Sequence, residues 1–148
     1  MNTIEEILDY AIDQEQQAAD FYALVASNVD TARMKKIMAD FSEEELRHKQ
    51  ILQSVKQGDK TLTPEKEVLD LKISDYLVEV DVHDKITYQD ALIIAMKRER
   101  AAYELYSNMA EKLPEGQLKE VIQGLAIEEA KHKLFFESEY DDRVLIDN

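Results

Sequence analysis

The chain has 148 residues, the length of one ordinary domain, and 45% of them are apolar, which is enough for a sizeable core. Only 3 Gly and 2 Pro are present, which disfavours an all-β sandwich or barrel, because that class needs frequent turns. The formal net charge of -14 repels nucleic acid, and the absence of Cys excludes disulfides, iron–sulfur centres and thiolate metal sites.

Four stretches of the chain show helical periodicity. The first begins at a capping box, Thr3–Glu6, and the second runs from about Thr31 to Gln57. The third begins near Thr87, and the fourth is predicted to begin near Pro114, since proline suits the first turn of a helix. Short breaks within each pair predict two antiparallel hairpins.

The segment between the second and third helices, residues 58–86, shows little periodicity. Its length of about 29 residues is enough to cross a bundle whose helices are roughly 40 Å long. A turn at Pro64 and a short helix around Val68–Val78 are expected within it, and His83 is interpreted as a solvated loop residue.

The predicted organisation is one domain over residues 1–148, with hairpin one at about 3–57, a crossover at about 58–86 and hairpin two at about 87–140. The longest purely apolar run, Ala91–Met96, is far too short to span a membrane. The N-terminus has no basic start and no long apolar stretch. A soluble, cytoplasmic protein is therefore expected.

The chain repeats itself with an offset of 84 residues. The pattern Ala11-x3-Glu15-x2-Ala18-x3-Tyr22 recurs as Ala95-x3-Glu99-x2-Ala102-x3-Tyr106. The pattern Glu44-Glu45-x2-His48-Lys49 recurs as Glu128-Glu129-x2-His132-Lys133. Two copies are too few for a solenoid, so the repeat indicates a duplicated helical hairpin.

The spacing brings acidic residues to the same height in the bundle. Glu15 and Glu45 lie at equal distances on either side of the first turn, and Glu99 and Glu129 lie in the same way around the second. Each of the two histidines follows a glutamate by three residues, on the same helix face. The site predicted near mid-bundle therefore comprises Glu15, Glu45, His48, Glu99, Glu129 and His132.

Four carboxylates cannot share a dry core as bare anions. Two divalent cations would balance their charge, and two neutral imidazoles would complete the coordination. Mixed oxygen and nitrogen donors suit Fe, Mn or Zn. A solvated face of charged residues is the alternative interpretation, and the two motifs in register argue against it.

The two blocks resemble the ferritin-like superfamily, and specifically the rubrerythrin-like di-iron proteins, in which two helices each give a Glu and two give Glu-x-x-His. The resemblance implies an all-α, ferritin-like four-helix bundle built from two duplicated hairpins and a long crossover connection. It also implies a cofactor of two iron ions, with Mn or Zn as alternatives. Glu45 and Glu129 would bridge the ions, while Glu15 and Glu99 would be terminal ligands.

The sequence departs from the pattern of this family at two points. Rubrerythrins usually carry an acidic residue three positions after the helix-three ligand, used in a redox-linked exchange of ligands, and here that residue is Ala102. The site is therefore expected to be symmetric. Many relatives also carry a rubredoxin domain, which a chain without Cys lacks. An external electron donor, rubredoxin-like or similar, is then expected.

The function implied by the resemblance is a non-haem di-iron oxidoreductase that reduces hydrogen peroxide or O2. A ferroxidase or iron-handling protein is the first alternative, and a structural metal-binding helical bundle is the second. Neither nucleic acid nor a membrane is an expected partner, and a homodimer is expected from the resemblance alone.

Four further residues lie beside the predicted ligands. Tyr22 and Tyr106 lie on the ligand stripe seven residues after Glu15 and Glu99. They are interpreted either as core filler or as hydrogen-bond donors to a ligand carboxylate of the other half. Glu44 and Glu128 point about 100° away from the neighbouring ligand and are expected to be exposed. The sequence does not identify acceptors for the outer histidine nitrogens.

Overall fold

Threonine caps define the starts of three helices in the computed structural model, which describes residues 1–58, 68–78 and 86–145. Thr3 forms the expected capping box with Glu6: its hydroxyl accepts from the Glu6 N–H at 3.1 Å, and the Glu6 carboxylate accepts from the Thr3 N–H at 2.9 Å. Thr31 and Thr87 cap their helices in the same position. The helices are α1 (Ile4–Asn28), α2 (Ala32–Gln57), α3 (Tyr88–Lys112) and α4 (Gln117–Tyr140).

The fourth helix begins later than the sequence indicates. It starts at Gln117, after Gly116 with a φ of +154°, so the prediction of a start near Pro114 is wrong. L side chains rarely adopt that backbone conformation, and glycine adopts it without strain. The glycine therefore sets the point at which the chain leaves the turn, and Pro114 belongs to the turn itself.

The described part of the crossover connection lies against the N-terminal segment. A two-residue strand, β2 (Val68–Leu69), pairs antiparallel with β1 (Asn2–Thr3). The helix expected around residues 68–78 is reduced to one 3-10 turn, Ile73–Tyr76. Its Tyr76 accepts a hydrogen bond at the backbone carbonyl from Tyr10 at 3.3 Å. The turn expected at Pro64, and His83, lie outside the described residues.

Helix α1 packs along α2 and helix α3 along α4, so the four helices form the predicted all-α bundle. Two apolar clusters fill it, one towards each end. The first includes Ile4, Leu8, Leu52, Met109, Ile122 and Leu125, and the second includes Phe21, Val25, Met38, Leu92 and Phe136. None of the described helices is both long enough and apolar enough to cross a membrane.

A half-buried ion pair connects three helices at one end of the bundle. Glu139 of α4, which is 5% exposed, accepts two hydrogen bonds from the Arg33 guanidinium at 2.6 and 3.0 Å. It also accepts one from the Tyr88 hydroxyl at 2.8 Å. The bonds from Arg33 hold the pKa of Glu139 below its ordinary value. This cluster ties the first turns of α2 and α3 to the last turn of α4.

Candidate metal centre

Each of the four helices contributes one glutamate to a buried layer between the two apolar clusters. Their exposure is 3% or less, although each sits on a helix whose other buried residues are mostly apolar. The four are Glu15 of α1, Glu45 of α2, Glu99 of α3 and Glu129 of α4. The structure thus brings together all four glutamates that the repeat singles out.

Both histidines turn Nδ1 towards these carboxylates. Nδ1 of His48 lies 2.7 Å from Glu129, 3.6 Å from Glu15 and 3.7 Å from Glu45. Nδ1 of His132 lies 3.2 Å from Glu45, 3.7 Å from Glu99 and 3.8 Å from Glu129. The two rings are nearly parallel, with centroids 5.6 Å apart, so the imidazoles face the layer from equivalent positions.

The six residues form two overlapping groups whose donor atoms all lie within 4.8 Å of one another. One group is Glu15, Glu45, His48 and Glu129, and the other is Glu45, Glu99, Glu129 and His132. Only Glu45 and Glu129 belong to both groups. These two carboxylates are therefore the ones that two ions could share, whereas Glu15 and Glu99 each belong to a single group.

The two tyrosines cross from one half of the molecule to the other. The hydroxyl of Tyr22 donates to Glu99 at 2.6 Å, and the hydroxyl of Tyr106 donates to Glu15 at 2.6 Å. Both side chains are fully buried. Burial, and the negative charges of Glu99 and Glu15 respectively, raise the pKa of each phenol well above its ordinary value. Each tyrosine thus remains a proton donor to its carboxylate.

The ionisation of the layer reflects how strongly its groups interact. Burial, followed by repulsion from the other carboxylates, raises the pKa of Glu45 and of Glu129 well above the ordinary range. Burial acts in the same sense on Glu99, but its neighbours Glu129 and His132 outweigh it and lower its pKa to about 2. Without metal, burial and mutual repulsion therefore favour the protonated form of the two shared glutamates.

The same carboxylates favour the charged form of the two histidines, whereas they disfavour the charged form of Glu45 and Glu129. Burial opposes protonation of His48, but the neighbouring carboxylates of Glu15 and Glu45 outweigh it and raise its pKa to about 10. The pKa of His132 is raised to about 10 in the same way, through Glu45 and Glu99. Protons thus take the place that cations would take in balancing the four carboxylates.

Three carboxylate oxygens in this layer lack a hydrogen-bond partner among the described residues: Oε2 of Glu15, of Glu99 and of Glu129. Buried acceptors without a partner are rare and costly, and they call for an explanation. Four carboxylates and two imidazoles are a donor set that suits divalent iron, manganese or zinc. Bound cations would satisfy these oxygens, so the residues present fit a pair of metal ions.

A cavity of about 30 Å³ opens beside the layer, on the side of α1 and α3. Arg98 lies at its wall, with its guanidinium 5.4 Å from the centre of the Phe21 ring and its buried Nε unpartnered among the described residues. Burial lowers the pKa of Arg98. The cavity lining includes Gln14, Glu15, Ala18, Arg98, Glu99 and Ala102.

One contact contradicts the sequence analysis. Glu44 was expected to be exposed, but its side chain is only 38% exposed and its Oε2 lies 2.5 Å from Nε2 of His132. Glu44 sits on the flank of α2 that faces α4, where the histidine ring reaches it. Its counterpart in the repeat, Glu128, is exposed as expected. No signal in the sequence distinguishes them, since both are glutamates directly before a shared ligand.

The fold and this layer define a four-helix bundle with a buried carboxylate–histidine cluster whose residues could hold metal ions. The match to the Rubrerythrin family model covers residues 6–140, and the chain belongs to the rubrerythrin family. The family and the buried glutamate–histidine cluster fit a di-iron protein.

Solved structures support the same fold. A hypothetical protein from Pyrococcus furiosus is similar with a TM-score of 0.74 and 25% identity, over 94% of this chain and 89% of that one. A Thermotoga maritima protein, described as a candidate ferritin-like diiron-carboxylate protein, is similar with a TM-score of 0.72 and 18% identity, over 93% and 94% of the two chains. No protein of curated function matches the chain.

Proposed function

We propose that this protein is a di-iron oxidoreductase that reduces hydrogen peroxide, or O2, with electrons from an external donor. The observation that carries the proposal is the pair of ligand groups sharing Glu45 and Glu129. Carboxylates shared in this way could serve two ions, and a pair of ferrous ions would supply the two electrons that reduce hydrogen peroxide to two water molecules.

The residues around the centre have definable parts in this proposal. Glu15 and His48 would hold one ion and Glu99 and His132 the other, between the two shared carboxylates. Tyr22 and Tyr106 would keep the terminal carboxylates oriented through the hydrogen bonds they donate. The apolar clusters above and below exclude bulk water from the layer.

The size of the cavity is an argument for a small oxidant. A bound water needs about 10–15 Å³ of such space, so about 30 Å³ admits a molecule of roughly two heavy atoms. Hydrogen peroxide and O2 are of that size. Ala18 and Ala102 contribute to the opening because neither side chain extends beyond Cβ. Reduction of peroxide to two water molecules takes two electrons and two protons, and a chain without Cys offers no thiolate-bound centre to replace those electrons.

The proposal is tested by stopped-flow absorbance. Protein loaded anaerobically with two equivalents of Fe(II) is mixed with hydrogen peroxide and, separately, with O2. The proposal is supported if both ions are oxidised faster than free Fe(II). The oxidant that gives the higher rate is the preferred one. Glu129→Gln is the control, since it removes a shared carboxylate while keeping the side-chain shape. Oxidation no faster than that of free Fe(II) would refute the proposal.

A ferroxidase that passes iron onward is the second candidate. It is favoured by the net charge of -14 and by a groove on the α2 and α4 side, where Glu44, Glu120 and Glu128 lie beside His48. Such acidic surfaces attract cations. This function predicts that more than two Fe(II) per chain are oxidised under O2 with release of the product. A fixed limit of two per chain excludes it.

A further inference from the structure

The two histidines of the centre are equivalent in the repeat but have different surroundings on their outer sides. Nε2 of His132 lies 2.5 Å from Oε2 of Glu44. The same ring lies edge-on to Phe41, with centroids 4.9 Å apart and planes at 83°. A carboxylate and an aromatic ring thus hold His132 in one orientation.

His48 lacks this support. The repeat places Glu128 where His132 has Glu44, but Glu128 pairs with Lys131 at 3.4 Å and, within the described residues, lies outside ion-pair distance of His48. The repeat counterpart of Phe41 is Leu125, so no phenyl ring stands at that position. His48 instead lines a groove with Leu125, Gly124 and Glu128.

This difference bears on metal binding because a histidine ligand coordinates through one nitrogen while the other is bound by its neighbours. A carboxylate that accepts from Nε2–H keeps the proton there, which leaves the lone pair of Nδ1 for the metal. It also fixes the ring and makes the ligating nitrogen more basic. Glu44 provides this for His132, whereas the outer side of His48 faces the groove.

We propose that the two metal positions are inequivalent, and that the position at His132 binds its ion first and more tightly because Glu44 orients the ring. The proposal rests on the proposed metal centre but not on its redox chemistry, since it holds for any divalent ion that binds there. Glu44 is a positioning residue, because it acts through His132 without touching the ion. Loss of such a partner typically weakens metal affinity about 10–100-fold.

The test is a Zn²⁺ titration of metal-free protein followed by the ring 15N resonances of histidine. The chain has only 3 His, so the spectrum assigns each step to a ring, and His83 serves as the reference. In the wild type, the His132 signals are expected to reach their bound positions with the first equivalent and those of His48 with the second. Simultaneous saturation of both rings, or His48 first, would overturn the proposal.

Matched variants identify the cause of this order. Glu44→Ala should weaken the His132 step about 10–100-fold and remove the order, whereas Glu128→Ala should keep both steps within about twofold of the wild type. Glu44→Gln should restore part of the order, because its amide oxygen still accepts from Nε2–H. Equal effects of the two alanine variants would refute the role of Glu44. If Zn²⁺ binds in this order but bound Fe(II) is not oxidised by peroxide, the proposed oxidoreductase function is refuted and the proposal about Glu44 stands.

Discussion

The glutamate layer and the apolar clusters on either side of it are buried to the same degree but differ in what burial does. Leu92 and Glu129 are both fully buried, one in the second apolar cluster and the other at the centre. Burial of leucine stabilises the fold. Burial of the glutamate raises its pKa, which means that the environment disfavours its charge. The apolar clusters therefore stabilise the bundle, whereas the charge of the middle layer opposes its own burial.

The largest expected effect is on an apolar cluster. Leu92→Ala should lower the free energy of unfolding of the metal-free protein by about 2–5 kcal/mol, because it removes buried methyl groups and leaves a cavity. Urea denaturation followed by circular dichroism measures this loss. A cost below about 1 kcal/mol would mean that the clusters do not carry the stability assigned to them.

Glu129→Gln is the matched change in the middle layer. We expect less than about 1 kcal/mol of change without metal, since burial raises the pKa of Glu129 and so favours its neutral form, and Gln is neutral and has the same shape. With metal bound, the wild type should be clearly more stable than the variant. Zn²⁺ at 1,000 times its Kd should stabilise the wild type by about 4 kcal/mol, and the variant far less. Two ions bound to the variant would show that the assignment of shared ligands is wrong.

A pH titration distinguishes the glutamate layer from the apolar clusters without mutation. The pKa of His48 and of His132 is raised from 6.5 to about 10, so their contribution to stability is present below pH 6.5 and is lost as the pH rises towards 10. Metal-free protein should therefore become easier to unfold between pH 6.5 and 9. Zn²⁺-loaded protein should show a much weaker slope, because coordinated imidazoles carry no proton at Nδ1. Equal slopes for the two forms would contradict the prediction.

The last prediction concerns the hydrogen bonds that the tyrosines donate to the layer. Tyr22→Phe and Tyr106→Phe each remove a buried donor to a carboxylate, so each should cost about 1.5–3 kcal/mol. Tyr10→Phe is the control, since its hydrogen bond is half-buried and 3.3 Å long, and it should cost about 1 kcal/mol or less. Denaturation of metal-free protein measures all three. Equal costs would mean that the layer does not depend on these donors.

The sequence predicts the bundle and the six clustered residues well, because both depend on spacing along regular helices. An offset of 84 residues fixes register, and equal distances from the two turns fix height. Register and height do not depend on the exact residues at which the helices begin and end. The late start of α4 therefore leaves the predicted position of Glu129 unchanged. The family match and the buried glutamate–histidine cluster agree with this interpretation.

Contacts between side chains of different elements could not be predicted in the same way. Glu44 and Glu128 are identical in type and register, and only the packing of α2 against α4 brings one of them onto a histidine. The pairing of Arg33 with Glu139 joins residues 106 positions apart and has no counterpart in the repeat. The expected helix around residues 68–78 gave way to one 3-10 turn beside a short strand pair, because backbone pairing with Asn2–Thr3 competes with helix formation.

The sharing of Glu45 and Glu129 between the two ligand groups has a consequence for the origin of the molecule. Each group takes three residues from one hairpin and one from the other, so neither hairpin alone offers a complete set to either cation. Two identical hairpins meeting around a twofold axis would offer both sets at once. Fusion of two copies into one polypeptide would then have preserved an ancestral dimer, and left each half free to acquire its own neighbours.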